Sequence, residues 1–392
     1  MPRNYRIAVL GCGSIAEIAH FPSIARTPGA TLTACCDTDA DRAQAAADRW
    51  GAKSWYTDYR EMFQKCELDA VIIASPNNVH RNQAIAAAKA GVHVIVEKPL
   101  AVTNKEAWDI VGACRQHKVK LMVGCDRRFW THNQWAKQLV EQGVIGRVLM
   151  ARASLHEHWH LYQNHVAKTD FRLRADIAGG AALPDTGAHA IDLLTWLMGS
   201  RVKRVVGIAE RLAMPESYTL CDDTVWILMQ HENGAYGCVS CNRFSPAVSQ
   251  ATELYGTEGT IFTATDATNP FQSVPMAVFT NKDYTLETLP EILRNYRWPQ
   301  LFWVEDRLQP TVPKRWIPII PPREPNNYTN MCRHFMECLT QDAEPLVSGE
   351  DGARAIEVMC AVYKSMQTKA WVELPLTEEV VPPHYKPIPL ED

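Results

Sequence analysis

The stretch YRIAVLGCGSIAEIAH (5–20), followed by TLTACCD (31–37), decides the fold. Tyr5–Leu10 is a short, almost unbroken apolar run, the mark of a strand buried on both faces of a parallel sheet. Gly11, Gly13 and Ala16 then fit the pattern G-x-G-x-x-[GA]. The first glycine permits a tight turn, the second lets the backbone approach a pyrophosphate, and the small third residue lets a helix pack on the strand. Backbone N–H groups near Ser14 and Ile15, at the start of that helix, would hold the anion. The second apolar run, Thr31–Cys36, ends at Asp37, where a carboxylate should meet the adenosine ribose of a dinucleotide. An acid there accepts hydrogen bonds from the ribose hydroxyls and repels a 2′-phosphate, so NAD is expected over NADP. Arg42, five residues on, is the nearby cation that would favour NADP.

Outward from this stretch the elements keep alternating. Helices are expected at Ala40–Trp50, Asp58–Lys65, Val79–Ala90 and Asn104–His117, and strands at Lys53–Tyr56, Asp69–Ser75, Val92–Val96 and Lys120–Gly124. That alternation predicts a doubly wound parallel sheet with crossover helices over residues 1–130. Ligands bind beyond the carboxyl ends of such strands. Ser75, Asn77, Glu97, Lys98 and Arg128 fall there and join the cofactor candidates, with His80 closing the segment Ser75–His80.

From about residue 131 the character changes. Longer strand-like runs at Val148–His158, Val202–Leu212, Asp223–Glu232, Ala235–Arg243 and Ala251–Tyr255 are joined by short turns such as Glu232-Asn233-Gly234. This predicts an α+β second domain over 131–392 with a large, mostly antiparallel sheet. A proline- and aromatic-rich segment at about 269–327 has no clear period and reads as an ordered insertion. Helices are expected at Asn133–Glu141, Asn327–Leu339 and Gly352–Lys369.

With 392 residues, 46% of them hydrophobic and 21% charged, the chain has the balance of a globular protein able to bury two cores. The net charge of −4, with no long basic run, gives no reason to expect nucleic acid or an anionic membrane as partner. No apolar run approaches the roughly 18 residues needed to cross a bilayer. Met1 leads into the first strand without room for a signal peptide, so a cytoplasmic location is expected. The twelve cysteines sit largely in apolar or helical runs, and the lone pair Cys238-x-x-Cys241 lacks a second pair, so all are expected to be reduced and structural.

Two places carry chemistry. Lys98 stands at a strand end before Pro99, where an ammonium beside a bound nicotinamide would lose hydration and act on a substrate hydroxyl. Its ordinary reading is a partner for Glu97. In the run GGAALPDTGAHAID (179–192), Asp185 and His189 are four apart, so a helix starting near Pro184 puts them on one face. A carboxylate one turn from an imidazole can orient it to take a proton. Gly187 between them costs a helix about 1 kcal/mol relative to alanine, as though something must come close there. The ordinary reading is a helix-dipole aspartate and an interface histidine.

The segments G-C-G-S-I-A, S-P-N-N-V-H (75–80), E-K-P-L (97–100), G-C-D-R-R-F (124–129), the 179–192 run and P-L-V-S-G-E-D-G-A-R-A (345–355) resemble, in this order, the motifs of the Gfo/Idh/MocA oxidoreductases. The resemblance implies a Rossmann domain, a C-terminal open sheet for substrate and oligomer contacts, and a tightly held nicotinamide cofactor. It also implies hydride transfer between a ring carbon of a sugar, glycoside or cyclitol and nicotinamide, with Lys98, Asp185 and His189 as the catalytic set and a homodimer or homotetramer as the assembly. An NAD-dependent glycoside hydrolase, working by transient oxidation and elimination, is one alternative; a non-catalytic dinucleotide sensor is another. His158, Trp159, Tyr162 and Arg172 are placed with Asp185 and His189 as substrate contacts. His156, His158 and His160 alternate as zinc ligands on a strand do, but a polar, aromatic wall against sugar hydroxyls is the expected role, and no metal is assigned.

Overall fold

The computed structural model describes residues 4–158, 170–264, 274–297, 309–322 and 326–390. The first sheet contains β1 (Tyr5–Leu10), β2 (Ala30–Cys36), β3 (Ser54–Tyr56), β4 (Ala70–Ile73), β5 (His93–Val96) and β6 (Leu121–Val123). Their order is β3-β2-β1-β4-β5-β6, all parallel. The apolar strands are covered on both faces by helices, which explains their unbroken hydrophobic runs. Register then places the site: Leu10 lies opposite both Cys36 and Ile73, Ile73 opposite Val96, and Val96 opposite Val123. The carboxyl ends of five strands are therefore level, and the turns that follow them share one edge. The helices start where side chains accept otherwise unpaired backbone N–H groups: Asp39 before Ala40–Trp50, Asp58 before Tyr59–Lys65, and the Thr103/Glu106 capping box before Asn104–Gln116.

The second sheet contains β7 (Val148–His156), β8 (Val202–Glu210), β9 (Thr224–His231), β10 (Tyr236–Asn242), β11 (Ser249–Gly256), β12 (Gly259–Ala264), β13 (Met276–Thr280), β14 (Ile317–Ile319) and β15 (Val372–Glu373). Its order is β14-β13-β12-β11-β7-β10-β9-β8-β15, antiparallel throughout except for the parallel pair β7/β10. Gly234, at φ +85°, closes the β9/β10 hairpin. Helices Ala188–Met198 and Gly349–Thr368 cover one face of the sheet.

The 269–327 segment, expected to be an aperiodic insertion, supplies β13 and β14 and so lengthens the sheet. These strands are too short, at five and three residues, to show a period against their proline-rich surroundings. Tyr296 packs on Trp135 with ring centroids 4.6 Å apart, and Trp316 packs on Phe262 at 5.0 Å.

The C-terminal helices also return to the first sheet. Tyr5 Oη lies 3.0 Å from Thr340 Oγ1, and the Val123 N–H donates to Val347 O at 3.1 Å. Side chains added at Gly349 and Gly352 would strike Leu121 and Val123, so the last helix packs tightly on β6. Beyond it, Tyr385 Oη donates to Glu106 and Arg81 to the Ile388 carbonyl, which lays the tail along the first domain. Among the described residues no helix is long and apolar enough to cross a membrane.

Candidate active site

The glycine turn emerges from β1 beside the end of β4. Gly11 has φ +93°, and a Cβ there would lie 2.7 Å from the backbone of Ala74 and Ser75. Only glycine fits both the angle and the space. At Gly13 a Cβ would meet nothing within 4 Å, which leaves the open cradle a pyrophosphate needs. Ser14 and Ile15 begin the following helix, so their N–H groups face that space. Asp37, buried, accepts from the Cys12 N–H at 2.8 Å and the Asp39 N–H at 3.0 Å, and Arg42 Nη1 approaches it at 3.4 Å. A carboxylate has about four acceptor positions, so Asp37 retains capacity for ribose hydroxyls. The residues present fit a dinucleotide with an unphosphorylated ribose.

The loops after β4 and β5 are braced internally. Ser75 Oγ donates to Gln83 at 2.6 Å, and Asn77 Nδ2 to the Ala178 carbonyl at 3.2 Å. His80, expected to touch the cofactor, is 1% exposed, with its ring nitrogens 2.9 Å from the Ser75 carbonyl and 3.1 Å from that of Pro99. It ties two loops together instead. Glu97 sets Oε1 2.9 Å from His20 Nε2 and accepts the Lys98 N–H on Oε2. A Cβ at Gly124 would lie 3.1 Å from that carboxylate, so the end of β6 is closed against it.

Lys98 reaches across to the second half of the chain. Its Nζ donates to Asp185 Oδ1 and, at 3.3 Å, to the Asp185 carbonyl. The other Asp185 oxygen, Oδ2, accepts from Arg243 Nη1, and Arg172 Nε lies 3.8 Å from it. Burial pushes the Asp185 carboxyl up, but Lys98, Arg243 and Arg172 outweigh it and hold the group well below the usual carboxylate range. Asp185 is a fixed anion.

The segment bearing it, Ala182–Gly187, is wound more widely than an α-helix and runs into the helix Ala188–Met198. Pro184 has no N–H to give an α-helical bond, and the Asp222 carboxylate takes the N–H groups of Ala181 and Leu183. Wide turns of this kind occur often at functional sites.

His189 departs from expectation in its partner. Asp185 was expected to orient it, yet both Asp185 oxygens are drawn to cations. The His189 Nδ1 atom faces Asp126 Oδ1 at 3.4 Å instead. Burial first, then the charges of Lys98 and Arg127, keep the imidazole pKa well below its ordinary value, so the ring is neutral near pH 7. Asp126, Arg243 and His20 join this cluster without being among the named candidates, although Asp126 falls with Arg128 at the carboxyl end of a strand, on the expected ligand-binding edge.

Arg128, expected beside the cofactor, is 4% exposed and grips Asp192 with two hydrogen bonds of 2.9 and 2.6 Å. It also donates to the Leu346 carbonyl at 3.0 Å. A further bond of 3.3 Å to Asp351 Oδ2 reaches the last helix, so Arg128 joins the turn after β6 to that helix and to Ala188–Met198, as a buried guanidinium goes to buried carboxylates. Arg172 pairs with Asp170 on the rim. His156 lies 3.2 Å from Ser240 Oγ, and among the described residues no cluster of three or more possible metal ligands occurs. His158 is half-buried; Trp159, His160 and Tyr162 lie outside the described residues.

Over residues 5–125 the chain matches the Gfo/Idh/MocA family described as an oxidoreductase family with an NAD-binding Rossmann fold, and over 133–262 the Gfo/Idh/MocA C-terminal domain. It is 27% identical to the D-apiose dehydrogenase of Paraburkholderia graminis, with 97% of this chain and 92% of that protein covered. It is 26% identical to the myo-inositol 2-dehydrogenase of Thermotoga maritima, covering 96% and 99%. A solved levoglucosan dehydrogenase, in complex with NADH and levoglucosan, shares the fold with a TM-score of 0.79 over 95% of this chain and 100% of that one, at 23% identity.

Proposed function

The chain belongs to the Gfo/Idh/MocA oxidoreductase family, and from that premise we propose that it oxidises a ring hydroxyl of a neutral sugar, glycoside or cyclitol with NAD. The observation that carries this reading is the meeting of Lys98, at the end of β5, with Asp185, one turn before His189. The glycine cradle and Asp37 would hold the nicotinamide cofactor, which would supply the hydride acceptor. Lys98, steadied by the fixed charge of Asp185, donates to the substrate oxygen and stabilises its negative charge as the proton leaves. An ammonium already donating to a carboxylate suits that role. Neutral His189 takes the proton. Dehydrogenases of a sugar and of a cyclitol among the near full-length relatives favour oxidation over glycoside hydrolysis as the net reaction.

The test is NAD-loaded protein against a panel of sugars, cyclitols and glycosides, following nicotinamide absorbance and released aglycone together. Net NADH is expected. Aglycone released without NADH would make the protein a hydrolase, and NAD binding with no turnover would make it a sensor.

Cofactor choice follows from Asp37. Replacing it with serine removes the ribose acceptor and frees Arg42, so NAD should bind about 10- to 100-fold more weakly and NADP comparatively better, as read by titration. Tighter NADP than NAD binding by the unaltered protein would contradict the assignment.

Assembly as a homodimer or homotetramer is supported by the outer face of the second sheet, where Met150, Ile208, Trp226, Leu228 and Tyr236 stand exposed on four adjacent strands, Trp226 opposite Ile208 and Tyr236 opposite Met150. Sedimentation as a monomer would contradict it. A cytoplasmic location is supported by twelve free thiols, ten of them buried, which suit a reducing compartment. Recovery of the native protein from a secreted fraction would count against it.

A further inference from the structure

We infer that Asp126 is a positioning residue that holds His189 in the tautomer with hydrogen on Nδ1, leaving Nε2 free to accept the substrate proton. The inference rests on the reading of the reaction above and adds to it the group that prepares the base.

The argument is one of accounting for oxygens. Three carboxylates surround His189 and Lys98. Asp185 gives one oxygen to Lys98 and the other to Arg243. Glu97 gives one to His20 and the other to the Lys98 N–H. Asp126, 6% exposed in the turn after β6, gives Oδ2 to the Trp130 Nε1–H at 3.3 Å and to Asn327 Nδ2. Its Oδ1 is buried with no hydrogen-bond partner, and so is Nδ1 of His189. These two atoms lie 3.4 Å apart. A carboxylate oxygen accepts and does not donate, so the atom it faces carries the hydrogen. The contact is longer than a well-formed hydrogen bond, and such contacts commonly tighten when substrate closes the site.

Burial lowers the His189 imidazole, leaving it neutral, and raises the Asp126 carboxyl, which Arg127 and Lys98 pull back down. His189 is faced by Lys98 from the end of β5, by Arg127 from the turn that bears Asp126, and by Asp185 from the segment before its own helix. Asp126 is faced by Arg127, Glu97, Lys98 and Trp130, with Asn327 from the helix Asn327–Gln341. Tyr328, beside Asn327, is kept protonated by burial and then by Asp126 and Glu97. In the reaction, the substrate O–H bond breaks as an N–H bond forms at Nε2, and the hydride leaves the same carbon for the cofactor. The imidazolium so formed is stabilised by Asp126 on its far side. Removing that carboxylate leaves the two cations opposed by Asp185 and Glu97, each already committed to its own partners.

Two measurements decide it. The first needs no turnover: in histidine-15N-labelled wild-type protein, the His189 ring, identified by its disappearance in His189→Ala, should carry its hydrogen on Nδ1, and its pKa should fall in Asp126→Asn. A ring protonated on Nε2, or one whose pKa is the same in both proteins, overturns the inference. The second uses NAD-loaded enzyme and a substrate from the panel. Asp126→Asn should lower kcat about 10- to 100-fold with KM changed by less than about threefold, and should move the acid limb of the kcat profile to lower pH. In a His189→Ala background the same substitution should change kcat by less than about threefold, because its effect passes through the missing ring. Fully additive losses, or an unmoved acid limb, would make Asp126 merely structural. If no substrate on the panel is oxidised, the proposed reaction fails while the ring tautomer is still decided.

Discussion

Replacing Lys98 with methionine is expected to lower kcat by about 10³-fold while NAD affinity stays within about threefold. The side chain is 12% exposed, at the level where β5 ends, and its Nζ is the donor that a substrate oxygen would meet beside Asp185. Methionine keeps the length and apolar stem and removes only the charge. Asp185 is not orphaned by the change, since Arg243 Nη1 still reaches Oδ2 and Arg172 stands 3.8 Å from it. The fold should therefore survive, and the loss should appear in the chemical step. Lys98→Arg should not restore it, because a planar guanidinium cannot place a point charge where the ammonium stood. Single-turnover NADH formation and NAD titration measure the two halves of the prediction. A kcat within tenfold of wild type would remove Lys98 from the reaction.

The largest stability effect is expected at Arg128. Arg128→Met should destabilise the protein by about 3–5 kcal/mol, because it leaves Asp192, 2% exposed, as an uncompensated buried charge. Changing both residues, Arg128→Met with Asp192→Leu, should recover most of the loss, since neither charge then remains to be neutralised. The readout is the thermal midpoint, expected to fall by roughly 5 °C or more in the single variant and to lie near wild type in the double. A double variant no more stable than the single would mean that the arginine acts chiefly through the Leu346 carbonyl. Asp192 sits three residues after His189 on the same helix, so the pair anchors the helix that carries His189.

These two residues mark how far the chain could be read unaided. Lys98 was legible because it ends a strand in an alternating pattern, and every such strand delivers its next residue to the ligand-binding edge. Arg128 and His80 obeyed the same rule and have protein partners there: reaching the edge does not settle whether a side chain turns outward to a ligand or inward to a buried partner. The 185–189 spacing picked out both side chains; the structure sets Asp185 against Lys98 and Arg243, and His189 against Asp126. The wide turn over Ala182–Gly187 was invisible without Asp222, which comes from the loop before β9 and accepts the N–H groups of Ala181 and Leu183 at its start, where a helix leaves them unpaired.

The sequence by itself determined the parallel sheet, the glycine cradle, the acid at Asp37 and the second, largely antiparallel sheet, because each follows from local periodicity and backbone sterics. Only the tertiary structure decided which carboxylate serves which cation. Asp185 goes to Lys98 and Arg243, Asp192 to Arg128, and Asp126 is left facing His189. Those choices are made by charges far apart in the chain competing for one another inside a poorly screening interior, and no spacing along the chain encodes the outcome of that competition.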